Sequence, residues 1–172
     1  MRDKHPEHIK KYEELDYCFQ DADYIDLKTI EGEAGLREFV AGMLSYYPWW
    51  LVALFRVREI VVQILGLVKH ERPEELPFIK PEELSFTPGE NASLFIVTNA
   101  VEDTYWVSVT PDDKHLKAYF GVVPEHIGDN LTRFYVFTTV CYLHWTGPLY
   151  FNLIRPFHHI IVKTMMKHGL SN

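Results

Sequence analysis

The sequence predicts an α+β fold, a curved antiparallel β-sheet wrapped around a long C-terminal helix. Three observations point there. The stretch from Gly147 to Lys167 reads as one long closing helix, apolar over most of its girth. Aromatic-rich segments with short turns between them precede it, and consecutive strands joined tightly favour an antiparallel meander over a parallel sheet. A final helix with that much apolar surface must be wrapped by something, and the strands are the available wrapper.

The elements follow in order. Residues 1–20 form an N-terminal arm, charged and loosely docked, and residues 21–172 a single domain. Tyr24 to Thr29 alternates and is rich in β-formers, a first strand. Glu33 to Ser45 is a short helix with Leu36, Phe39, Val40, Met43 and Leu44 at helical spacing. Pro48 opens the next helix, Trp49 to Leu65, because proline is tolerated only in a helix's first turn, and Gly66 terminates it. Prolines 73, 77, 81 and 88 make Arg72 to Pro88 a loop or irregular edge strand. Ala92 to Asn99 then pairs with Thr104 to Thr110 across Val101-Glu102-Asp103. The turn at Pro111-Asp112-Asp113-Lys114 leads into His115 to Val123, and a connection from Pro124 to Asn130 leads into Leu131 to Tyr142. Gly121 suits a bulge or bend that lets the sheet curve, and Pro156 predicts a kink or break near Asn152.

Composition narrows the function. A 172-residue domain buries roughly 70% of its unfolded surface. Aromatic residues make up 15% of the chain, as many as a merely aromatic core or a lined pocket would need. The formal net charge of −7 argues against nucleic acid as a partner, since phosphate needs a positive footprint. Two distant cysteines, Cys18 and Cys141, read as reduced thiols of a cytoplasmic protein. The first residues carry no apolar run of a targeting signal. Trp49 to Val68 holds Arg56, Arg58, Glu59 and Gln63, so it reads as an amphipathic helix and not a membrane span.

The segments Trp49 to Glu59, Asp113-Lys114-His115-Leu116 and Arg155-Pro156-Phe157-His158-His159-Ile160-Ile161-Val162 resemble a bacterial family known as domain of unknown function 2867. The resemblance runs from about Tyr24 to Lys167, and its most specific part is Tyr150 to Met166. That family is similar to the START-like, or helix-grip (SRPBCC), superfamily, which includes lipid-transfer domains, hormone-binding domains and polyketide cyclases. The resemblance implies a seven-stranded sheet around the closing helix with an internal cavity. It implies no reaction and no catalytic residues.

On the closing helix, Leu149, Leu153, Phe157, Ile160 and Ile161 recur at three and four, and are expected to face the sheet. Arg155, His159, Lys163 and Lys167 form a basic stripe at a spacing of four, either a solvated outer face or a contact for an anion or membrane surface. Arg155 has apolar sequence neighbours and is expected to pair with an acid, Glu59 or Asp113, or with an anionic ligand group. His158 and His159 point about 100° apart on a helix, which disfavours joint ligation of one metal. His115 beside Asp113 is the available acid/base pair, with turn capping by the aspartates as the plainer account. No phosphate loop, dinucleotide fingerprint or nucleophile elbow is present, and no metal or cofactor is expected. Both faces of Thr104 to Thr110 and of Leu131 to Tyr142 carry bulky groups, so the second face is covered by a dimer partner or belongs to a strongly curved sheet.

These readings favour a cytoplasmic domain that binds a small apolar molecule or lipid in an internal cavity. Tyr105, Trp106, Tyr119, Tyr135, Phe137, Tyr150, Ile154, Arg155 and Phe157 are the candidate lining residues. The alternatives are a cyclase- or hydrolase-type enzyme using His115 and Asp113, and a non-catalytic module that forms a homodimer.

Overall fold

The computed structural model describes residues 7–53, 78–111 and 116–171. Within them six strands form one antiparallel sheet: β1 (Tyr24–Gly32), β2 (Asn91–Ala92), β3 (Phe95–Val101), β4 (Tyr105–Val109), β5 (Leu116–His126) and β6 (Thr132–Tyr142). Their order is β1-β6-β5-β4-β3-β2. The helices are α1 (Glu7–Lys10), α2 (Leu36–Leu44) and the closing α3 (Thr146–Gly169), with a helical start at residues 49–53. This is the curved sheet with a closing helix that the sequence predicts, with six strands described where the resemblance implies seven. The remainder of the Trp49 to Leu65 helix lies outside the described residues. Among the described residues no helix is long and apolar enough to cross a membrane.

Strand register sorts side chains onto two faces, because residues paired across an antiparallel ladder share one. Trp106 pairs with Val122, which pairs with Val136, and Pro124 pairs with Phe134. Trp106, Phe120, Val122, Phe134 and Val136 therefore form the helix side of the sheet. They pack with Leu36, Phe39, Val40, Met43 and Leu44 of α2 and with Val162 and Met166 of α3. The Phe39 and Phe134 rings stack with centroids 4.0 Å apart. Trp106 buries its indole fully and donates its N–H to the Ser85 carbonyl at 3.0 Å, so no polar group is stranded.

The opposite face carries Tyr105, Val107, Tyr119, Val123 and Phe137, and its cover comes from the chain itself. Ile9, Leu15, Cys18 and Phe19 lie on it, all buried. The N-terminal arm is thus packed from Ile9 onward and not loosely docked, and it answers the question raised by bulky groups on both faces. Four apolar residues spread through a charged stretch form no obvious period.

Three local expectations change. Pro124 belongs to β5 and not to a connection. The β4 ladder stops at Val122, so the missing proline N–H falls where no neighbouring strand needs it. Of the bulge or bend expected at Gly121, the bulge is absent, since β5 keeps register on both sides; a Cβ there would stand 2.2 Å from the Phe137 ring, so close approach requires a glycine. The sheet's irregularity falls between Val97 and Asn99.

The third concerns α3, which shows no break near Asn152 and carries Pro156 on its exposed side. Its buried residues include Tyr150, Phe151, Val162, Met166 and Gly169. Leu149 (56% exposed), Leu153 (52%), Phe157 (43%) and Ile160 (56%) face outward, contrary to expectation. Both sides of the helix are apolar, and periodicity alone does not say which one packs. Close approach decides: a Cβ on Gly169 would lie 2.7 Å from the Phe39 carbonyl oxygen.

Gly169→Ala tests that contact. Helix propensity alone would make the variant more stable by up to about 1 kcal/mol, whereas a clash with backbone gives a net loss of about 1–2 kcal/mol. Urea unfolding measures the sign, and a stabilised variant would show that α2 and α3 do not meet this closely.

Candidate functional site

Period-two alternation on β1 places Tyr24, Asp26, Lys28 and Ile30 on the helix side, opposite Val140, Thr138, Val136 and Phe134 of β6. A strand at the sheet edge would normally keep charge on its outer face. Here Asp26 and Lys28 lie inside, their side chains only 12% and 19% exposed, and form an ion pair. His158 and His159 of α3 meet them from above. His159 Nδ1 lies 3.1 Å from Lys28 Nζ and 3.4 Å from Asp26 Oδ2, while its Nε2 lies 3.1 Å from the Tyr24 hydroxyl. His158 Nε2 stands 3.7 Å from the same Asp26 oxygen.

These contacts set the chemistry available. If His159 carries its proton on Nδ1, it donates to Asp26 and its Nε2 accepts from Tyr24, a carboxylate–imidazole–hydroxyl chain. If the proton sits on Nε2, Nδ1 accepts from Lys28 and the imidazole donates to Tyr24. The ion pair beside Nδ1 allows either tautomer. Burial lowers the His158 pKa to about 4, with Asp26 opposing and Lys28 and His159 assisting, so this ring is neutral. Its Nε2 is buried without a hydrogen-bond partner. Burial raises the Tyr24 phenol, Asp26 adds to that, and Arg155 opposes it. The site can therefore offer a neutral hydroxyl, an imidazole and an ammonium to one polar group.

The sequence family described as "Protein of unknown function (DUF2867)" matches residues 17–165. The chain belongs to this family. No curated protein matches it. Among solved structures, a START superfamily protein from Mycobacterium smegmatis is similar at 14% identity, covering 86% of this chain and 97% of that one, with a TM-score of 0.42. Norcoclaurine synthase from Thalictrum flavum, solved in complex with dopamine and hydroxybenzaldehyde, is similar at 10% identity over 86% of each chain, with a TM-score of 0.43. Likenesses this distant add no argument, and the helix-grip assignment rests on the strand order and closing helix described above.

The DUF2867 chain distributes the nine candidate lining residues over several places. Trp106 lies in the core beneath α2. Tyr105, Tyr119, Tyr135 and Phe137 are on the other side of the sheet, under the N-terminal arm, and so share no cavity with α3. Phe157 sits on the outward side of α3. Tyr150 and Ile154 pack with Tyr24, Phe151 and Val140. The exposed Arg155 guanidinium lies 6.0 Å from the Tyr24 ring centre. Only these last three border the polar cluster. His115, Asp113 and Glu59 lie outside the described residues. A shallow pocket of about 220 Å³ beside Phe78, Leu84 and Ala92 involves none of the nine.

Tyr24, Asp26 and Lys28 escaped sequence reasoning, because an Asp-x-Lys alternation on a strand reads as its wet face. Burial pushes the Cys18 thiol up to about 12 and raises Cys141 as well, as expected of inert cysteines. Among the described residues no group of three or more His, Cys, Asp or Glu is placed to hold a metal.

His158 makes stability depend on pH. Its folded pKa, about 4, lies below the ordinary 6.5, so between those values the unfolded chain binds more protons. Its contribution is complete above pH 6.5 and declines as pH falls toward 4, by on the order of 2–3 kcal/mol. Unfolding free energies at pH 7.5 and 4.5 should differ less in His158→Phe than in the wild type. Equal slopes would mean that His158 is not buried neutral.

Proposed function

We propose that this DUF2867 protein binds a small, mostly apolar molecule between its sheet and closing helix, with a polar group of that molecule held at Tyr24, Lys28 and His159. The observation that carries the reading is the inward-facing Asp26–Lys28 pair under α3. Burying two charges costs more than a hydrophobic pair in the same place, and a half-buried ion pair facing two histidines and a tyrosine is an expensive way to fill a core. The apolar share of the contact comes from Tyr150, Phe151 and Ile154 alongside. The exposed Arg155 above Tyr24 favours an acidic or carbonyl oxygen on the ligand. Two free thiols fit a cytoplasmic setting.

Native mass spectrometry of protein purified from its own host tests this. The expected spectrum shows an adduct of small-molecule mass, lost on denaturing extraction, with occupancy at least tenfold lower in Lys28→Ala and in Tyr24→Phe. A clean apo mass at every concentration, or occupancy indifferent to both substitutions, would overturn the assignment.

A second reading is favoured by the Asp26–His159–Tyr24 chain, which is the geometry of an oriented general base. On this reading the bound molecule is turned over, with Tyr24 passing protons and Asp26 fixing the imidazole. Conversion of the extracted adduct by wild type but not by His159→Gln, with binding retained, separates catalysis from carriage.

A further inference from the structure

Charge does not balance where α3 crosses β1. From Thr146 to Gly169 the helix contains no Asp or Glu, and over Tyr24 and Asp26 it carries Arg155, His158 and His159. Beneath them the half-buried Asp26 carboxylate is already matched by the Lys28 ammonium. Asp23, just before β1, accepts a hydrogen bond from the Tyr142 N–H at 2.7 Å. Among the described residues Arg155 forms no ion pair, so its guanidinium is a spare positive charge beside the cluster. A solvated arginine would be ordinary, but this one is held over the site. It lies 6.0 Å from the Tyr24 ring centre, and its charge opposes the rise that burial imposes on both the Tyr24 and the Tyr142 phenols. One turn further along the helix, His159 Nε2 lies 3.1 Å from the Tyr24 hydroxyl. Residues four apart on α3 thus converge on one phenol.

Resting on the ligand site proposed above, we propose that the polar group of the ligand is a carboxylate with a single negative charge, gripped by Arg155 together with Tyr24, Lys28 and His159. Two features select this class. A guanidinium offers paired N–H donors that match the two oxygens of a carboxylate, whereas a neutral hydroxyl or ketone leaves the spare charge uncompensated. A second negative charge would find no further fixed cation. The charge of Lys28 is matched by Asp26, and Lys163, eight residues beyond Arg155, is about 12 Å away along the helix. Asp26 itself lies 3.4 Å from His159 Nδ1 and repels a second charge there. A phosphate monoester, close to dianionic at neutral pH, is disfavoured for that reason. The hydrocarbon of the acid has Tyr150, Phe151 and Ile154 to lie against, all packed beside Tyr24.

Isothermal titration of the full chain with octanoate, 1-octanol and octyl phosphate tests the class, at about pH 8 where both acids are ionised. Octanoate should bind roughly tenfold or more tightly than either of the others. In Arg155→Gln that preference should vanish, with octanoate falling to the affinity of octanol and octanol itself unchanged. Arg155 is exposed, so the substitution leaves the core intact, and an unchanged circular dichroism spectrum checks this. Arg155→Lys keeps the charge and loses the fork, so its affinity for octanoate should fall between the two. Octanol binding as tightly as octanoate, or octanoate binding indifferent to Arg155→Gln, overturns the carboxylate and leaves the ligand site standing. Octyl phosphate binding most tightly overturns it in favour of a phosphate ester. Failure of all three to bind at about 1 mM also overturns the carboxylate. An adduct still carried from the host then keeps the ligand site, whereas a clean apo mass removes both.

Discussion

The ladder between β1 and β6 is the constraint on which the rest depends. It joins an early strand to the last one, pairing Tyr24 with Val140 and Gly32 with Thr132 over nine residues. Its register decides which side chains of β1 look toward α3. A slip of one residue would turn Ile25, Leu27 and Thr29 inward and send Tyr24, Asp26 and Lys28 to the other side. The grip would then close on an ordinary apolar surface, and His158 and His159 would have no partners. The pairing is held by its length and by an ion pair at its far end, where Arg133 bonds both Glu31 and Glu125.

Two layers cover the sheet, and they differ in kind. On the helix side, α2 and the C-terminal part of α3 fill the core with Phe39, Met43, Val162 and Met166. The N-terminal part of α3 crosses the polar residues of β1. On the far side residues 7–19 fill the shallow face with Ile9, Leu15 and Phe19. His8 ties that arm down by stacking on Tyr135 with ring centres 4.8 Å apart and by approaching Glu125 at 3.4 Å. The polar cluster and the exposed Leu149, Leu153, Phe157 and Ile160 thus occupy opposite sides of the same helix. Its inner side meets charge, and its outer side presents hydrocarbon.

That inversion explains where reading from residues succeeded and where it did not. Strand β1, helix α2, the β3–β4 hairpin, β6 and the closing helix all carried local signals: alternation, helical spacing at Leu36 to Leu44, and turn residues at Glu102-Asp103. The sides of α3 carried none that decided between them. Leu149, Leu153 and Phe157 are as apolar as Tyr150, Phe151 and Val162, and a pattern with two apolar stripes has two solutions. Nor does alternation along β1 say that Asp26 and Lys28 lie inside, where their burial costs free energy that partners from a distant helix offset.

By itself the sequence determined what is local or summed along the chain: the α+β class, most strand and helix positions, the charge balance, and the absence of a recognised catalytic motif. Tertiary structure alone decided the sides. It placed Tyr105, Tyr119, Tyr135 and Phe137 under the N-terminal arm, and it gathered Tyr24, Asp26, Lys28, His158 and His159 from residues more than a hundred positions apart. The physical reason is that periodicity fixes which residues share a face, whereas which face is buried depends on close approach between elements, such as Gly169 on Phe39.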